Sequence, residues 1–379
     1  MDDWNTYELG ELLLYEQPSK YIVKSTDYDN SYATPVLTAG KSFILGYTNE
    51  ADGIYPQERL PVIIFDDFTT SSKYVDFSFK VKSSAMKILK PNTNLVLPKY
   101  IFYRMQIIQF DHSTHKRYWI QQYSKLKVAI PDMVEQRKVV GKIEERLSQL
   151  DNGEQILHKT KRQIDFYRQS VLKAAFSEVS NGKKSTIMTV CDRVVDCPHS
   201  TPKWVESGKL CLRTTNFKRG YLDLSEKNYV SNETFDVRNK RLVPKSGDIL
   251  FSREGAILGI ACIIPEKIEA CLGQRMMLLR TNNSINNKFL MYYLNSPMMN
   301  KLVRQNIGGT ASPHINVGDI KEFLIPTPDI SSQLAIVEGI ESRLSVCDNI
   351  EKTVEFALQG TEAMRQSILK NAFEGRIQS

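Results

Sequence analysis

The chain has 379 residues, a formal net charge of +7 and a pI of about 8.9. That length exceeds what one hydrophobic core usually supports, so at least two domains are expected. A content of 41% hydrophobic and 25% charged residues fits a folded protein and excludes a disordered or fibrous chain. No apolar run is long enough to cross a bilayer, and the polar start Met1-Asp2-Asp3-Trp4 is unlike a signal peptide, so a cytoplasmic location is expected.

Residues 1–131 mix short β-branched and aromatic runs with Gly, Asn and Ser turns. Residues 61–67 read as a buried strand ending in a loop, 84–89 as another strand, 100–108 as an apolar helix and 126–130 as a closing strand. The loops carry Thr38, Lys41 and Tyr47, then Thr69, Thr70, Ser71, Ser72 and Lys73, and later His112, His115, Lys116 and Arg117. Arg and Lys can read guanine, Asn and Gln adenine, and Ser and Thr either bases or phosphates. Taken singly, each of these is equally a solvated loop residue; the clusters carry the argument.

From Asp132 the pattern changes. Ile143, Leu150, Leu157, Ile164 and Val171 recur at a spacing of seven, with Val140 and Leu147 alongside, which is a coiled-coil seam. Asp132, three residues before Glu135, predicts a capping box. One helix over 132–177 would be roughly 70 Å long at 1.5 Å per residue, longer than a compact domain needs. Gly182 is a candidate terminator.

Residues 185–326 return to the first grammar. Residues 247–253 read as turn, strand and polar loop, 257–264 and 276–280 as strands, 288–294 as a helix and 323–325 as a closing strand. The loop candidates are Arg213, Thr214, Thr215, Asn216, Lys218 and Arg219, then Ser252 and Arg253, Gln274 and Arg275, and Thr310 with His314. All six cysteines (Cys191, Cys197, Cys211, Cys262, Cys271, Cys347) lie in the second half without a C-x-x-C pair and are expected to be reduced and structural. Cys191, Cys197 and His199 match no zinc spacing and lack a fourth ligand, so no metal is expected.

The last segment repeats the earlier helix. Arg168-Gln169-Ser170-Val171-Leu172-Lys173-Ala174-Ala175-Phe176 recurs as Arg365-Gln366-Ser367-Ile368-Leu369-Lys370-Asn371-Ala372-Phe373, identical at seven of nine positions with an offset of 197. The same offset carries Arg146-Leu147-Ser148 onto Arg343-Leu344-Ser345 and Asp151-Asn152 onto Asp348-Asn349. The second seam comprises Val337, Ile340, Leu344, Cys347, Val354, Met364 and Ile368. Two domain-plus-helix copies in one chain are most simply related by a pseudo-twofold axis, which pairs the helices antiparallel. The expected fold is α+β: two domains alternating with two long helices that form an antiparallel coiled coil.

Catalytic motifs are missing. The sequence has no Gly-rich cofactor loop after a strand, no P-loop and no Asp/Asn-Pro-Pro-Tyr motif of amino-methylases. Asp319-Ile320-Lys321 resembles a nuclease tail without its acidic companion and reads as strand-edge polarity. The glycine pair in 255–259 reads as a turn.

Residues 135–144 (Glu135-Gln136-Arg137-Lys138-Val139-Val140-Gly141-Lys142-Ile143-Glu144), the two repeated segments above, residues 247–253 and the late loop 308–317 resemble the specificity subunits of type I restriction-modification systems, over nearly the whole chain. The resemblance implies target-recognition domains at 1–131 and 185–326 and conserved long helices at 132–184 and 327–379. It further implies a non-catalytic chain that reads a bipartite, asymmetric double-stranded DNA target. Such a chain docks two modification subunits, which carry the S-adenosylmethionine site and methylate adenine at N6, and can recruit restriction subunits; no cofactor is bound by the chain itself. Two other readings stay open: a separately encoded reader of a related methylase-nuclease system, and a coiled-coil scaffold that binds no DNA. The sequence departs from the family pattern at Ser332-Gln333-Leu334, where Glu-Gln is expected. It also has Thr34-Pro35-Val36-Leu37-Thr38 where the second domain has Leu212-Arg213-Thr214-Thr215-Asn216, so the first domain reads as a different target-domain subtype.

Overall fold

Capping fixes where the two long helices begin. Asp132 Oδ1 accepts the Glu135 amide at 2.8 Å, and Asp329 Oδ1 accepts the Ser332 amide at 2.9 Å. Each carboxylate satisfies an orphan N–H and lies at the positive end of a helix dipole. Hydrogen bonds from the hydroxyls of Ser331 and Ser332 hold the Asp329 carboxyl well below the usual carboxylate range. In the computed structural model, which describes residues 4–38, 42–110, 117–308 and 313–376, the helices run Met133–Ser177 and Ile330–Phe373. The first stops short of Gly182; turns follow it, and Lys184–Thr186 is already a strand.

The chain divides into two units, Met1–Leu157 with Phe356–Ser379, and His158–Glu355. Each holds one α+β domain and part of both long helices. In the first unit an antiparallel sheet has the order Leu13–Glu16, Met86–Pro91, Val62–Asp66, Ser72–Val75. A smaller sheet has the order Ile44–Thr48, Thr34–Leu37, Lys80–Val81, the last pair parallel. The run Val62-Ile63-Ile64-Phe65 is apolar throughout because both faces of its strand are covered. Ile63 and Phe65 enter the core shared with the long helices, while Val62 and Ile64 enter a second core with Tyr55 and Phe79.

The second unit repeats this plan. Its antiparallel sheet has the order Cys191–Asp196, Met276–Thr281, Ile249–Ser252, Ala261–Ile263. Its other sheet has the order Trp204–Val205, Tyr229–Val230, Lys209–Leu212, Ala270–Leu272, again with the last pair parallel. Divergence at 34–38 therefore does not mark a different strand plan: Thr34–Leu37 and Lys209–Leu212 hold the same place in their sheets. Only Ala261–Ile263 of the predicted strand 257–264 is extended, because the 255–259 segment is a turn with Gly255 and Gly259 at positive φ.

Within each unit the helix segments pair antiparallel. In the first, Arg365 reaches Asp151 at 2.6 Å. In the second, Arg168 reaches Glu351 at 2.8 Å and also Asp348, and Lys161 reaches Glu355 at 2.7 Å. Among the predicted seam residues, Ile143, Ile164, Val171, Ile340 and Val354 are buried, and Leu147, Leu150, Leu157, Leu344 and Ile368 are half-buried. Met364 is a correction: it is 56% exposed. Ten residues beyond Val354 at about 100° per residue, it points some 80° away from the seam, which continues through Leu358, Thr361 and Arg365.

One set of contacts seats each domain on its helices. Gln136, fully buried, donates from Nε2 to Leu95 O (3.1 Å) and Pro131 O (2.9 Å) and accepts the Leu97 amide on Oε1 at 2.8 Å. Gln333, also fully buried, donates to Ser284 O (3.1 Å) and Pro328 O (2.8 Å) and accepts the Asn286 amide at 2.7 Å. Lys99 pairs with Glu144, and Lys288 pairs with Glu341. Tyr100 meets Phe373 edge-on at 5.2 Å, and Phe289 meets Phe176 edge-on at 5.3 Å. An aromatic pair of this kind adds roughly 0.5–1.5 kcal/mol beyond its buried area. The repeat offset of 197 links the helix partner of every pair.

Candidate nucleic-acid interface

In the first unit the hairpin turn between Val62–Asp66 and Ser72–Val75 carries the polar cluster. Asp66 Oδ1 accepts the amides of Phe68 (2.8 Å) and Thr69 (3.0 Å), an Asx turn that lets Thr70 adopt φ +56°. Thr69 is exposed, and Thr70, Ser71 and Lys73 are half-buried. Asp67 lies under the turn at 1% exposure. Its Oδ1 accepts the Trp119 amide at 2.8 Å, its carbonyl accepts the Tyr118 amide at 3.0 Å, and Lys87 Nζ stands 3.4 Å from its Oδ2. These bonds tie the segment that begins with exposed Arg117 to the base of the turn that carries Thr69–Ser71. Ser72 is a correction: it is buried, and its hydroxyl accepts Gln106 Nε2 at 2.7 Å, so it offers no exposed group to a ligand.

Thr38 follows the strand Thr34–Leu37 of the smaller sheet, its Oγ1 donating to Ser42 O at 3.0 Å, and Tyr47 lies half-buried on the neighbouring strand Ile44–Thr48. Lys41, His115, Lys116 and Thr310, with His112, lie outside the described residues. Glu50 braces the segment beneath this sheet. It accepts the amides of Lys24 and Ser25, both at 2.8 Å, and pairs with buried Lys80 at 2.8 Å. The Lys80 ammonium, followed by those amides, pulls the Glu50 carboxyl from 4.5 to about 2. A depressed carboxylate stabilises the fold above its unfolded value and loses that contribution as pH falls through the folded one. Melting temperatures of the wild type and Glu50→Gln should therefore differ at pH 6 and converge between about pH 4.5 and 2; a constant gap across that window would rule out this role for Glu50.

In the second unit three predicted loops converge at the end of Ile249–Ser252. The Arg253 amide donates to Arg275 O (3.0 Å), Ile315 donates to Arg253 O (2.9 Å), and Gly255 donates to Pro313 O (2.9 Å). Arg253, Arg275 and His314 thus share one surface. Arg253 is nevertheless 5% exposed: its Nε and Nη2 grip Asp196 at 2.8 and 3.3 Å, and Nη2 reaches His199 Nδ1 at 3.2 Å. A guanidinium only donates, so Nδ1 of His199 accepts and its Nε2–H donates to Asp196 Oδ2 at 3.0 Å. Arg253 therefore holds this loop cluster together and has little surface left for a ligand, a further correction. Ser252 is fully buried with its hydroxyl on Ile260, and Asn216 is 4% exposed, accepting the Arg213 amide and donating to Asp223 O and Glu226 O. Both are structural, because their polar atoms are consumed by main-chain partners.

The outward-facing set is Arg275, at φ +71° and 3.8 Å from Glu254; Arg213, 5.5 Å above the Trp204 ring; Thr215; and Lys218. Thr214 and His314 are half-buried, and Gln274 accepts the Thr201 hydroxyl at 3.0 Å. Arg219 is drawn towards Asn295 O at 3.4 Å. Sequence reading missed Asp67, Lys87 and Asp196, which have partners remote in the chain, and weighed His199 only as a metal ligand. Asp319 and Lys321 lie on the short helix Val317–Lys321, not on a strand edge. Among the described residues no group of three or more side chains could hold a metal, and no helix is long and apolar enough to cross a membrane. The described cysteines are all free and buried, with Cys197 Sγ accepting the Met276 amide. A cavity of about 850 Å³ in the first unit, bordered by Trp4, Arg104, Gln109, Gln366 and Lys370, contains none of the predicted DNA-facing residues.

The model of the type I restriction modification DNA specificity domain matches residues 1–165 and 208–358. The Escherichia coli type I restriction enzyme EcoR124I/EcoR124II specificity subunit is 33% identical over 343 residues, 88% of this chain and 85% of that one. Two solved structures share the fold. One, from a study of complex assembly and conformational transition of the type I R-M system, has a TM-score of 0.69 at 17% identity, covering 99% of this chain and 98% of that one. The HsdS subunit of Thermoanaerobacter tengcongensis has a TM-score of 0.55 at 16% identity, covering 100% and 98%.

Proposed function

This chain belongs to the type I restriction modification DNA specificity family, and on that premise we propose that each unit reads one half of a bipartite, asymmetric DNA target while the helix pairs dock two modification subunits. The carrying observation is the division of labour within each unit. The seat on the helices is the same in both, whereas the loop chemistry differs: Thr69, Lys73 and Arg117 in one, Arg213, Thr215 and Arg275 in the other. Two different loop sets on one scaffold suit two different half-sites. Exposed apolar side chains on the helices, Phe356 and Met364 in the first unit and Phe166, Val346 and Ile350 in the second, are surface that a partner protein would cover. The chain itself is non-catalytic; S-adenosylmethionine and the N6-methylation of adenine belong to the partner, and restriction subunits join as an option.

Methylation mapping tests this directly. Co-expression with a neighbouring modification subunit should place N6-methyladenine at one bipartite motif, and omission of this chain should abolish it. Methylation unchanged without this chain would exclude the assignment, and helix-mediated assembly without salt-sensitive duplex binding would mark it as a scaffold.

A further inference from the structure

We propose that Arg238, a residue turned away from solvent, is the positioning residue for the base-reading loops of the second unit; this rests on the DNA-reading assignment above. Arg238 is 6% exposed and lies near the end of the helix Asn232–Asn239. That helix is fixed at both levels of structure. Ser231 caps it through the Thr234 amide at 3.2 Å, and Phe235 seats it against Val230, Cys211 and Cys271.

The guanidinium donates to four main-chain carbonyls. Nε reaches Leu272 O at 2.6 Å, Nη2 reaches Gly273 O at 2.6 Å and Pro198 O at 3.3 Å, and Nη1 reaches Ser200 O at 3.2 Å. These carbonyls belong to two segments that meet only in space. One carries His199 and Thr201, and the other leads directly into Gln274 and Arg275. The approach is tight. The Gly273 amide donates to Leu212 O at 2.8 Å, and a Cβ on Gly273 would lie 2.4 Å from that oxygen. Arg241 adds a bond from Nη1 to Asp196 O at 3.2 Å, at the root of the first loop.

A planar fork of five donors can satisfy four carbonyls of two segments at once; an ammonium, with three donors on one atom, cannot satisfy all four. Discrimination by a side chain such as Arg275 requires its backbone to be held to about half an ångström. Among the described residues of the first unit, the place of this helix in the chain, between Ile44–Thr48 and Val62–Asp66, holds only the short turn Gln57–Arg59. There, Asp67 and Lys87 tie the loops together instead.

The test is the methylation rate of the complex on its own motif against motifs altered at single base pairs. Arg238→Lys should reduce discrimination about tenfold at one half-site, the scale of one lost bidentate base contact. Discrimination at the other half-site should stay within about twofold. A merely structural defect would lower activity on all sites alike, so equal loss at both half-sites, or unchanged discrimination at both, would overturn the proposal. If Arg238→Lys yields no folded complex, Arg241→Ala replaces it: a smaller loss, about threefold and confined to one half-site, supports the positioning role, and no change overturns it. A wild-type complex that methylates no bipartite motif removes the DNA-reading assignment and this proposal together. A discriminating wild type with indifferent variants removes this proposal alone.

Discussion

Gln136→Ala is expected to destabilise the first unit by about 3–5 kcal/mol, since each buried polar group left without a partner costs roughly 1–3 kcal/mol. Three main-chain groups lose their partner at once: Leu95 O, Pro131 O and the Leu97 amide. Glutamate at this position would be no remedy, since it keeps the acceptor, removes both donated bonds and adds a charge at a site with no exposure. Gln333→Ala should act in the same way on the second unit, through Ser284 O, Pro328 O and the Asn286 amide. Hydrogen exchange separates the two. Protection should fall around 95–105 in the first variant and around 284–294 in the second, each leaving the other unit at its wild-type level. A loss below about 1 kcal/mol would mean that water replaces the amide at little cost, and the glutamine would no longer count as the clamp.

Lys87→Met should be comparably severe, at about 3–5 kcal/mol, the usual result of removing one partner of a buried ion pair. Both side chains of the Lys87–Asp67 pair are 2% exposed, and the ammonium also donates to Gln17 Oε1 at 3.1 Å. The carboxylate would keep its bond from the Trp119 amide but lose its counter-charge. The double variant Lys87→Met with Asp67→Asn should recover most of the loss, because a neutral amide still accepts that bond without burying an unpaired charge. Urea unfolding of the four proteins gives the coupling energy. A coupling under about 1 kcal/mol would place this pair with ordinary surface ion pairs and deprive Asp67 of its role in joining Arg117 to the Thr69–Ser71 turn.

The scaffold was legible in the sequence because its determinants are local and periodic. The heptad spacing from Ile143 to Val171 and the acidic cap at Asp132 can be read within one helix, and the offset of 197 shows the same element twice. Met364 lies off the seam because the second heptad pattern is less regular, and spacing alone does not separate an apolar residue at the wrong angle from one that packs. The docking glutamines lay within the repeat, yet their role depends on loops some forty residues away, Leu97 being 39 positions from Gln136. The reading surface was the least legible. Arg253 has the composition of a base reader, but Asp196, 57 positions earlier, claims its guanidinium. Asn216 and Ser252 are equally plausible on paper and are consumed by nearby backbone. Sequence shows which loops are polar; only folding decides which side chains have donors to spare.

The grip of Gln136 and Gln333 falls on main-chain atoms of the domains they hold: Leu95 O and the Leu97 amide in one, Ser284 O and the Asn286 amide in the other. Every residue other than proline offers the same amide, and every residue the same carbonyl. The clamp is therefore blind to the side chains on its domain partner. Substitutions in the domain leave these glutamine bonds intact provided the loop before its helix keeps its course; the side-chain contacts of Lys99, Tyr100, Lys288 and Phe289 have no such tolerance. A main-chain grip of this kind suits a molecule in which two domains with little common sequence sit on one repeated stem.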